Sequence, residues 1–321
     1  MSGCRKGSEA VDRNDRVYVA GHSGMVGSAI VRILLENSFE NVLTATRNVA
    51  DLRDPEAVRR YFEAERPDHV VLAAAKVGGI QANRKYPADF IYDNLMIQSN
   101  VIHQAHLSGV KKLIFLGSSC VYPRDCPQPM KEEYLLTGRL EPTNEAYALA
   151  KVAGLRMAQY YHEQYGMNCI CPMPCNLYGA NDSFDPLHSH VLSALVRRFV
   201  DAVDDASPEV ELWGTGSARR EFLNVDDLAR AVLFLMEEWD RPEIINVGVG
   251  KDISIRDLAD LIARKLGYTG VIAWDPSKPD GMPRKCLDVT KMASLGFEPE
   301  IPLEAGIDRM IADYRALKSA N

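Results

Sequence analysis

The sequence lacks any long hydrophobic run, and no stretch approaches the ~18 apolar residues that a membrane-crossing helix needs. Its opening residues 1–15, MSGCRKGSEAVDRND, are polar and charged, without the apolar core of a secretory signal. The expectation is a cytoplasmic protein with a flexible N-terminal segment over 1–15. A surplus of positive charge is also missing. Lys and Arg number 37 against 44 Asp and Glu, a formal net charge of −7, which argues against broad binding to nucleic acid or an anionic membrane surface. A small anionic ligand held by a few local cations remains open. There is no paired-cysteine framework either: seven cysteines are an odd number in a chain of this length, which fits reduced thiols. Cys169, Cys171 and Cys175 are evenly spaced as on one face of a strand, with no evident fourth ligand, and read as buried strand thiols. His103 and His106 have no third ligand nearby and read as helix-face residues, so no metal is expected. Internal repeats and low-complexity segments are absent.

What is present suits a soluble globular chain: 321 residues, 46% hydrophobic and 25% charged, enough to bury a sizeable core. Strand and helix patterns alternate. RVYVA (16–20) reads as a strand running into a glycine turn and a helix from Met25 to Glu36; NVLTAT is a second strand. Asp54 as N-cap with Pro55 opens a helix through Glu65, and HVVLAAA is a third strand. A long helix spans about Tyr86 to Leu107, stopped by Ser108 and Gly109. The strand KKLIFLG follows; then a proline-bearing loop, a helix capped by Thr143 or Asn144 that runs to about Tyr165, and the strand NCICPM. Beyond Asn181 the spacing predicts a helix near His190 to Val203, a VELW strand, EFLNVDDLARAVLFLME as turn and helix, and EIINVG as strand. This predicts an α/β fold, a Rossmann doubly wound parallel sheet with a smaller C-terminal substrate-binding lobe. Residues 16–180 with 219–249 would form the former, and 181–218 with 250–321 the latter.

Gly21, Gly24 and Gly27 lie between the first strand and its helix, the context a dinucleotide site requires. Glycines there permit a tight turn and close approach of the backbone to a pyrophosphate, which the helix N-terminus stabilises. Ser23, Met25 and Val26 complete that turn. An NAD-selective site carries Asp or Glu at the end of the second strand; here TATRN supplies Arg47, whose guanidinium suits the 2′-phosphate of NADP. Asp51 and Leu52 are placed to flank the adenine.

YALAK puts Tyr147 and Lys151 on one helix face. An ammonium beside the phenol would favour its ionised form and bring it nearer to working range. Upstream, FLGSSCVYP ends a buried strand on Ser118, Ser119 and Cys120, where open α/β sheets place ligands. A ketone oxygen held there by the Ser118 and Tyr147 hydroxyls would lie beside a nicotinamide.

This set resembles the extended short-chain dehydrogenase/reductase family. The motifs GHSGMVGSAI, LAAAKVGGI, YPADFIYDN, LGSSCVYP, EPTNEAYALAK, NLYG, SHV, REFLNVDDLA and SKPDGMPRK are similar to those of its members that epimerise and reduce GDP-4-keto-6-deoxy-D-mannose. The resemblance runs from about Arg16 to the C-terminus. It implies epimerisation at C3 and C5 followed by NADPH-dependent reduction at C4, a nucleotide-sugar substrate, and a homodimer joined through the two long helices. It assigns reduction to Ser118, Tyr147 and Lys151, and epimerisation to Cys120 and His190. A ketone at C4 acidifies the hydrogens at C3 and C5, so inversion needs a base, donors to the enolate oxygen and an acid on the opposite face.

The resemblance further implies cofactor contacts at Leu116, Gly117, Ser118 and Ser119, at Pro174, Asn176 and Leu177, and at Lys151 and His190. It implies substrate contacts at Arg198, Trp213, Arg220 and Asp280, with the two arginines toward the diphosphate. Two departures stand out: Ser23 replaces a basic residue that some members have, leaving more of the phosphate recognition to Arg47, and Cys175 replaces the usual Thr of PTNLYG. An epimerase or reductase of another GDP-4-keto-hexose or heptose is the alternative within this fold. A catalytically silent NADP-binding regulator would tolerate loss of the Tyr/Lys pair.

Overall fold

A computed structural model describes residues 11–186, 189–278 and 280–320. Strands β1 (Arg16–Ala20), β2 (Asn41–Leu43), β3 (His69–Leu72), β4 (Lys112–Phe115), β5 (Cys169–Pro174) and β9 (Ile244–Val247) form one sheet in the order β2-β1-β3-β4-β5-β9. Every pairing in it is parallel. Burial explains this. β3, β4, β5 and β9 are buried at every position, so both faces need cover, which helical crossovers supply. The crossovers are α1 (Met25–Glu36), α2 (Pro55–Glu65), the short α3 (Ile80–Lys85) with α4 (Pro87–Leu107), and α5 (Glu145–Tyr165). Asp54 caps α2 as expected, its carboxylate accepting from the Glu56 N–H at 2.9 Å. β2 is shorter than the NVLTAT reading: after Leu43 the chain leaves the sheet for the cleft edge.

A second, smaller sheet gathers around β8 (Arg219–Asn224). β6 (Asn176–Tyr178) and β12 (Arg284–Lys285) lie parallel to it and β10 (Asp252–Ser254) antiparallel. β7 (Glu209–Trp213) pairs in parallel with β11 (Val271–Asp275). The EFLN segment was expected to be a turn and is instead a strand. Phe222, Leu223 and their neighbours are buried on both faces, so no apolar/polar alternation announces it. β8 lies in the second sheet, whereas α7 (Val225–Glu238) and β9 lie with the first. Helices α6 (Val191–Asp204), α8 (Ile255–Leu266) and α10 (Leu303–Ala320) enclose a second apolar core around Phe199, Leu258, Ile262 and Met310. The short α9 (Thr290–Ser294) packs Met292 against the first core.

Residues 11–15, part of the segment expected to be flexible, form a turn in which the Asp15 N–H donates to the Asp12 carbonyl at 3.0 Å. The Asp15 carboxylate lies 2.9 Å from His69 and 2.8 Å from the Lys111 ammonium. Residues 1–10 lie outside the described residues. Among the described residues no helix is long and apolar enough to cross a membrane. The described cysteines Cys120, Cys126, Cys169, Cys171, Cys175 and Cys286 are free, and Cys4 lies outside the described residues.

Candidate active site

The carboxyl ends of β1, β3, β4 and β5 open into a cleft of about 1170 Å³, walled on its far side by residues of the second core and its strands. Every cofactor, catalytic and substrate candidate read from the sequence borders it. From β1 the chain turns to β2 on one side, and β3 pairs on the other, which makes the end of β1 a topological switch point. There Gly21 has φ +91°, and a Cβ on it would come within 2.6 Å of the Ala74 nitrogen that follows β3. On Gly27 a Cβ would run into the Gly21 carbonyl, so only glycine lets α1 start this close to the turn. Gly24 is different. A Cβ there would meet only the Gly21 oxygen at 3.6 Å, in ordinary contact, so its bare Cα leaves room in the cleft itself. The first N–H groups of a helix have no intrahelical partner, and the first turn of α1 carries no acidic side chain to compete for them. This cradle fits the pyrophosphate of a dinucleotide.

Arg47 is exposed on the cleft edge beyond β2. The nearby carboxylate, Asp51, is not free to serve a ribose 2′-hydroxyl, since Arg53 engages it through bonds of 3.0 and 2.7 Å. That guanidinium holds the Asp51 carboxyl down to about 2. Among the described residues Arg47 has no ion-pair partner, which fits a phosphate on the ribose better than a bare hydroxyl.

Beyond β4 the chain forms one 3-10 turn, Ser119–Val121, capped by the Ser118 side chain, which accepts from the Cys120 N–H at 3.2 Å. The Ser118 hydroxyl also acts on the Tyr147 phenol, favouring its ionised form against the effect of burial. Lys151 is buried and its ammonium donates to the Leu116 carbonyl at 2.8 Å, lying 5.9 Å from the Tyr147 ring centroid. Here the structure corrects the sequence reading. Burial pushes the Tyr147 phenol up, with the charge on Cys120 adding to it, instead of down toward neutrality. Burial also brings Lys151 down to about 8, because a desolvated ammonium is costly and its nearest partner is a neutral carbonyl. A phenol that stays protonated suits an acid that donates to a ketone oxygen.

Cys120 has the opposite bias. Burial alone would raise its thiol, yet Lys285, Ser118 and Asn144 together outweigh burial and hold it below the usual range. The Lys285 ammonium lies 3.2 Å from Sγ and the Asn144 amide 3.1 Å. Asn144 occupies the N-cap position of α5 but makes no cap bond with its side chain, which is turned to the sulfur instead. His190, just ahead of α6, has its Nδ1 3.7 Å from Asp182 Oδ1, and that carboxylate raises it against the opposing effect of burial. The two shifts run toward each other, so more of the protein holds thiolate and imidazolium together at neutral pH, the combination an inverting base and acid require. Asp182 and Lys285 were not singled out in the sequence, and Asn144 was read there only as a candidate helix cap. The only sequence signal for Lys285 is its place in SKPDGMPRK, a motif with no assigned role at that position.

On the substrate side Arg198 donates to the Glu211 carbonyl at 2.6 Å, and Arg220 to the Arg219 and Asp280 carbonyls at 2.8 and 3.3 Å. Among the described residues neither guanidinium has a carboxylate partner, which leaves two cations in an acidic protein free for an anionic group. The Asp280 carboxylate takes the Thr215 N–H and hydroxyl at 2.8 Å each and fixes that loop beside the exposed face of Trp213. Outside the cleft, His103 bonds the Tyr161 hydroxyl at 2.8 Å and His106 stacks on Tyr165 with centroids 4.2 Å apart, so both serve the helix face.

Comparison with known proteins agrees with this geometry. The pattern of the NAD dependent epimerase/dehydratase family matches residues 17–248. GDP-L-fucose synthase 1 of Arabidopsis thaliana is 52% identical over 302 residues, covering 94% of this chain and 94% of that protein. A crystal structure of a GDP-6-OMe-4-keto-L-xylo-heptose reductase from C. jejuni superposes with a TM-score of 0.90 at 36% identity, covering 97% of this chain and 100% of the other. A GDP-L-fucose synthetase from Naegleria fowleri bound to NADP gives 0.88 at 28% identity over 97% and 98%. With most of its length matched on both measures, the chain belongs to the NAD dependent epimerase/dehydratase family.

Proposed function

We propose that this protein converts GDP-4-keto-6-deoxy-D-mannose to GDP-L-fucose, inverting C3 and C5 and then reducing the C4 ketone with NADPH. The observation that carries the reading is the juxtaposition, at the end of β4, of two sets of groups. Cys120 and His190 are biased toward thiolate and imidazolium, while Tyr147 is biased toward the protonated phenol. A plain reductase needs only the second set. The 52% identity to a GDP-L-fucose synthase over most of the chain supports the same substrate.

In the first stage Cys120 takes a proton from C3 or C5, Ser118 and Tyr147 hold the oxygen on which negative charge collects, and His190 returns a proton to the opposite face. In the second stage Tyr147 gives its proton to O4, and Ser118 keeps its bond to that oxygen. NADPH, when bound, supplies the hydride. The glycine turn would hold the pyrophosphate of the cofactor, Arg47 its 2′-phosphate, and Lys151 would contribute from the same cleft. Arg198 and Arg220 hold the diphosphate of the substrate. The working unit is a homodimer in which α4 and α5 of one copy meet those of another, covering the exposed Tyr92, Leu107, Tyr160 and Tyr165.

The direct test is incubation with NADPH and GDP-4-keto-6-deoxy-D-mannose, with the product identified by NMR as GDP-L-fucose. Turnover of a GDP-4-keto-heptose but not of the deoxyhexose would instead select the heptose reading, which the C. jejuni reductase favours. Cofactor choice has its own test. Arg47→Ala is expected to weaken NADPH binding by about tenfold to a hundredfold, the worth of a charged hydrogen bond, and to leave NADH binding unchanged. Equal loss for both cofactors, measured by fluorescence titration, would remove Arg47 from the 2′-phosphate.

A further inference from the structure

Lys285 reaches the cleft from the far end of the sequence. β12 lays it parallel to β8, opposite Arg220. The strand is tied down beside it: the Leu287 N–H donates to the fully buried carboxylate of Glu221 at 2.7 Å, whose other oxygen takes the Val249 and Gly250 N–H groups at 2.5 and 2.6 Å. Lys285 is itself half-buried, and among the described residues no carboxylate pairs with it. Its one hydrogen-bond partner there is the Cys120 sulfur at 3.2 Å. A neutral thiol is a weak acceptor and would leave this half-buried ammonium poorly satisfied, whereas a thiolate satisfies it.

Other groups act on the sulfur as well. Ser118 belongs to its own turn, and α5 brings Asn144, Tyr147 and Lys151. His190 approaches from ahead of α6 and Arg220 from β8. Lys151 and Arg220 spend donors on backbone carbonyls, and His190 turns to Asp182. Lys285 is the cation in direct contact.

The geometry points to Lys285 as the positioning residue that keeps Cys120 ionised for proton removal at C3 and C5, an inference that deepens the proposed epimerisation and rests on it. In that step the C–H bond breaks, its electron pair enters the enolate with the charge on O4, and the proton forms an S–H bond. His190 then gives its proton to the carbon from the opposite face. The thiol afterwards loses its proton to water and the imidazole regains one, which resets the pair for the second centre.

The test follows alkylation of Cys120 by iodoacetamide as a function of pH on the full chain, read by peptide mass spectrometry, because only the thiolate displaces iodide. In the wild type the midpoint is expected below that of a free thiol; a midpoint at or above it overturns the proposal without any variant. In Lys285→Met the rate at pH 7 is expected to fall at least about tenfold and to recover to the wild-type plateau at higher pH. Lys285→Arg keeps a cation and is expected to restore the profile. Superimposable profiles for the wild type and Lys285→Met overturn the proposal. Labelling of the buried Cys169 and Cys171 in the same digests distinguishes unfolding, and if the Met variant unfolds, Lys285→Gln takes its place with the same expected fall, an unmoved profile overturning the proposal. Deuterium incorporation at C3 and C5 of GDP-4-keto-6-deoxy-D-mannose is followed separately. Its absence from the wild type overturns the functional reading and with it the role given to the pair, whereas intact exchange in Lys285→Met with an unmoved alkylation profile overturns the Lys285 inference alone.

Discussion

Tyr147→Phe is expected to lower NADPH oxidation by roughly two to four orders of magnitude, the usual worth of a positioned general acid. Hydride arrival at C4 leaves an alkoxide that must receive a proton, and the Tyr147 phenol is the donor whose proton burial retains throughout the neutral range. Proton exchange at C3 and C5 should survive in part, since Ser118 still donates to the enolate oxygen; loss of one of two such donors costs about a hundredfold to a thousandfold. The measurement pairs NADPH oxidation with deuterium incorporation from heavy water into the recovered sugar. NADPH oxidation within a few-fold of the wild type would take Tyr147 out of the reduction.

Cys120→Ser should divide the activities the other way. A hydroxyl is far harder to ionise than a thiol, and even with Lys285 and Asn144 still beside it the serine oxygen would remain protonated near neutrality. Exchange at C3 and C5 is expected to fall by at least about a hundredfold, the scale of a lost general base. Slow reduction of the unepimerised ketone should persist, because Ser118, Tyr147 and Lys151 are untouched. The pH dependence should differ as well. In the wild type, exchange is expected to hold on the acid side down to a lower pH than a free thiol would allow, since Cys120 is shifted down. On the alkaline side it should extend beyond the range of a free imidazole, since His190 is shifted up by Asp182. Undiminished exchange in Cys120→Ser would remove the thiol from the mechanism.

Much of this was open to a reading of the sequence because it is local. The three glycines sit within one turn, and their necessity follows from backbone approach distances that a few neighbouring residues determine. Tyr147 and Lys151 are brought to one face by helical geometry alone. Asp54 and Pro55 mark the start of α2 in the way such pairs do in any helix. EFLN was misread for an equally physical reason: a strand buried on both faces shows no period of two, and its partners β6, β10 and β12 come from three other parts of the chain.

Electrostatics at the site was the part that local pattern did not carry. Adjacency on a helix suggested that Lys151 would acidify Tyr147, but the fold buries Lys151, half-buries Tyr147 and directs the ammonium to a carbonyl, so desolvation decides the sign. Asn144 looked like a helix cap and is instead a thiol partner. Asp182 and Lys285 act on His190 and Cys120 through distances of 3.7 and 3.2 Å that only the packed chain creates. By itself, the sequence determined the doubly wound sheet, the glycine cradle and the residue types gathered at the end of β4, since these follow from periodicity and short-range sterics. The tertiary structure decided toward which protonation state each of those residues is biased, because burial and the approach of a cation from 165 residues away set that balance, and neither is encoded in any window of neighbouring residues.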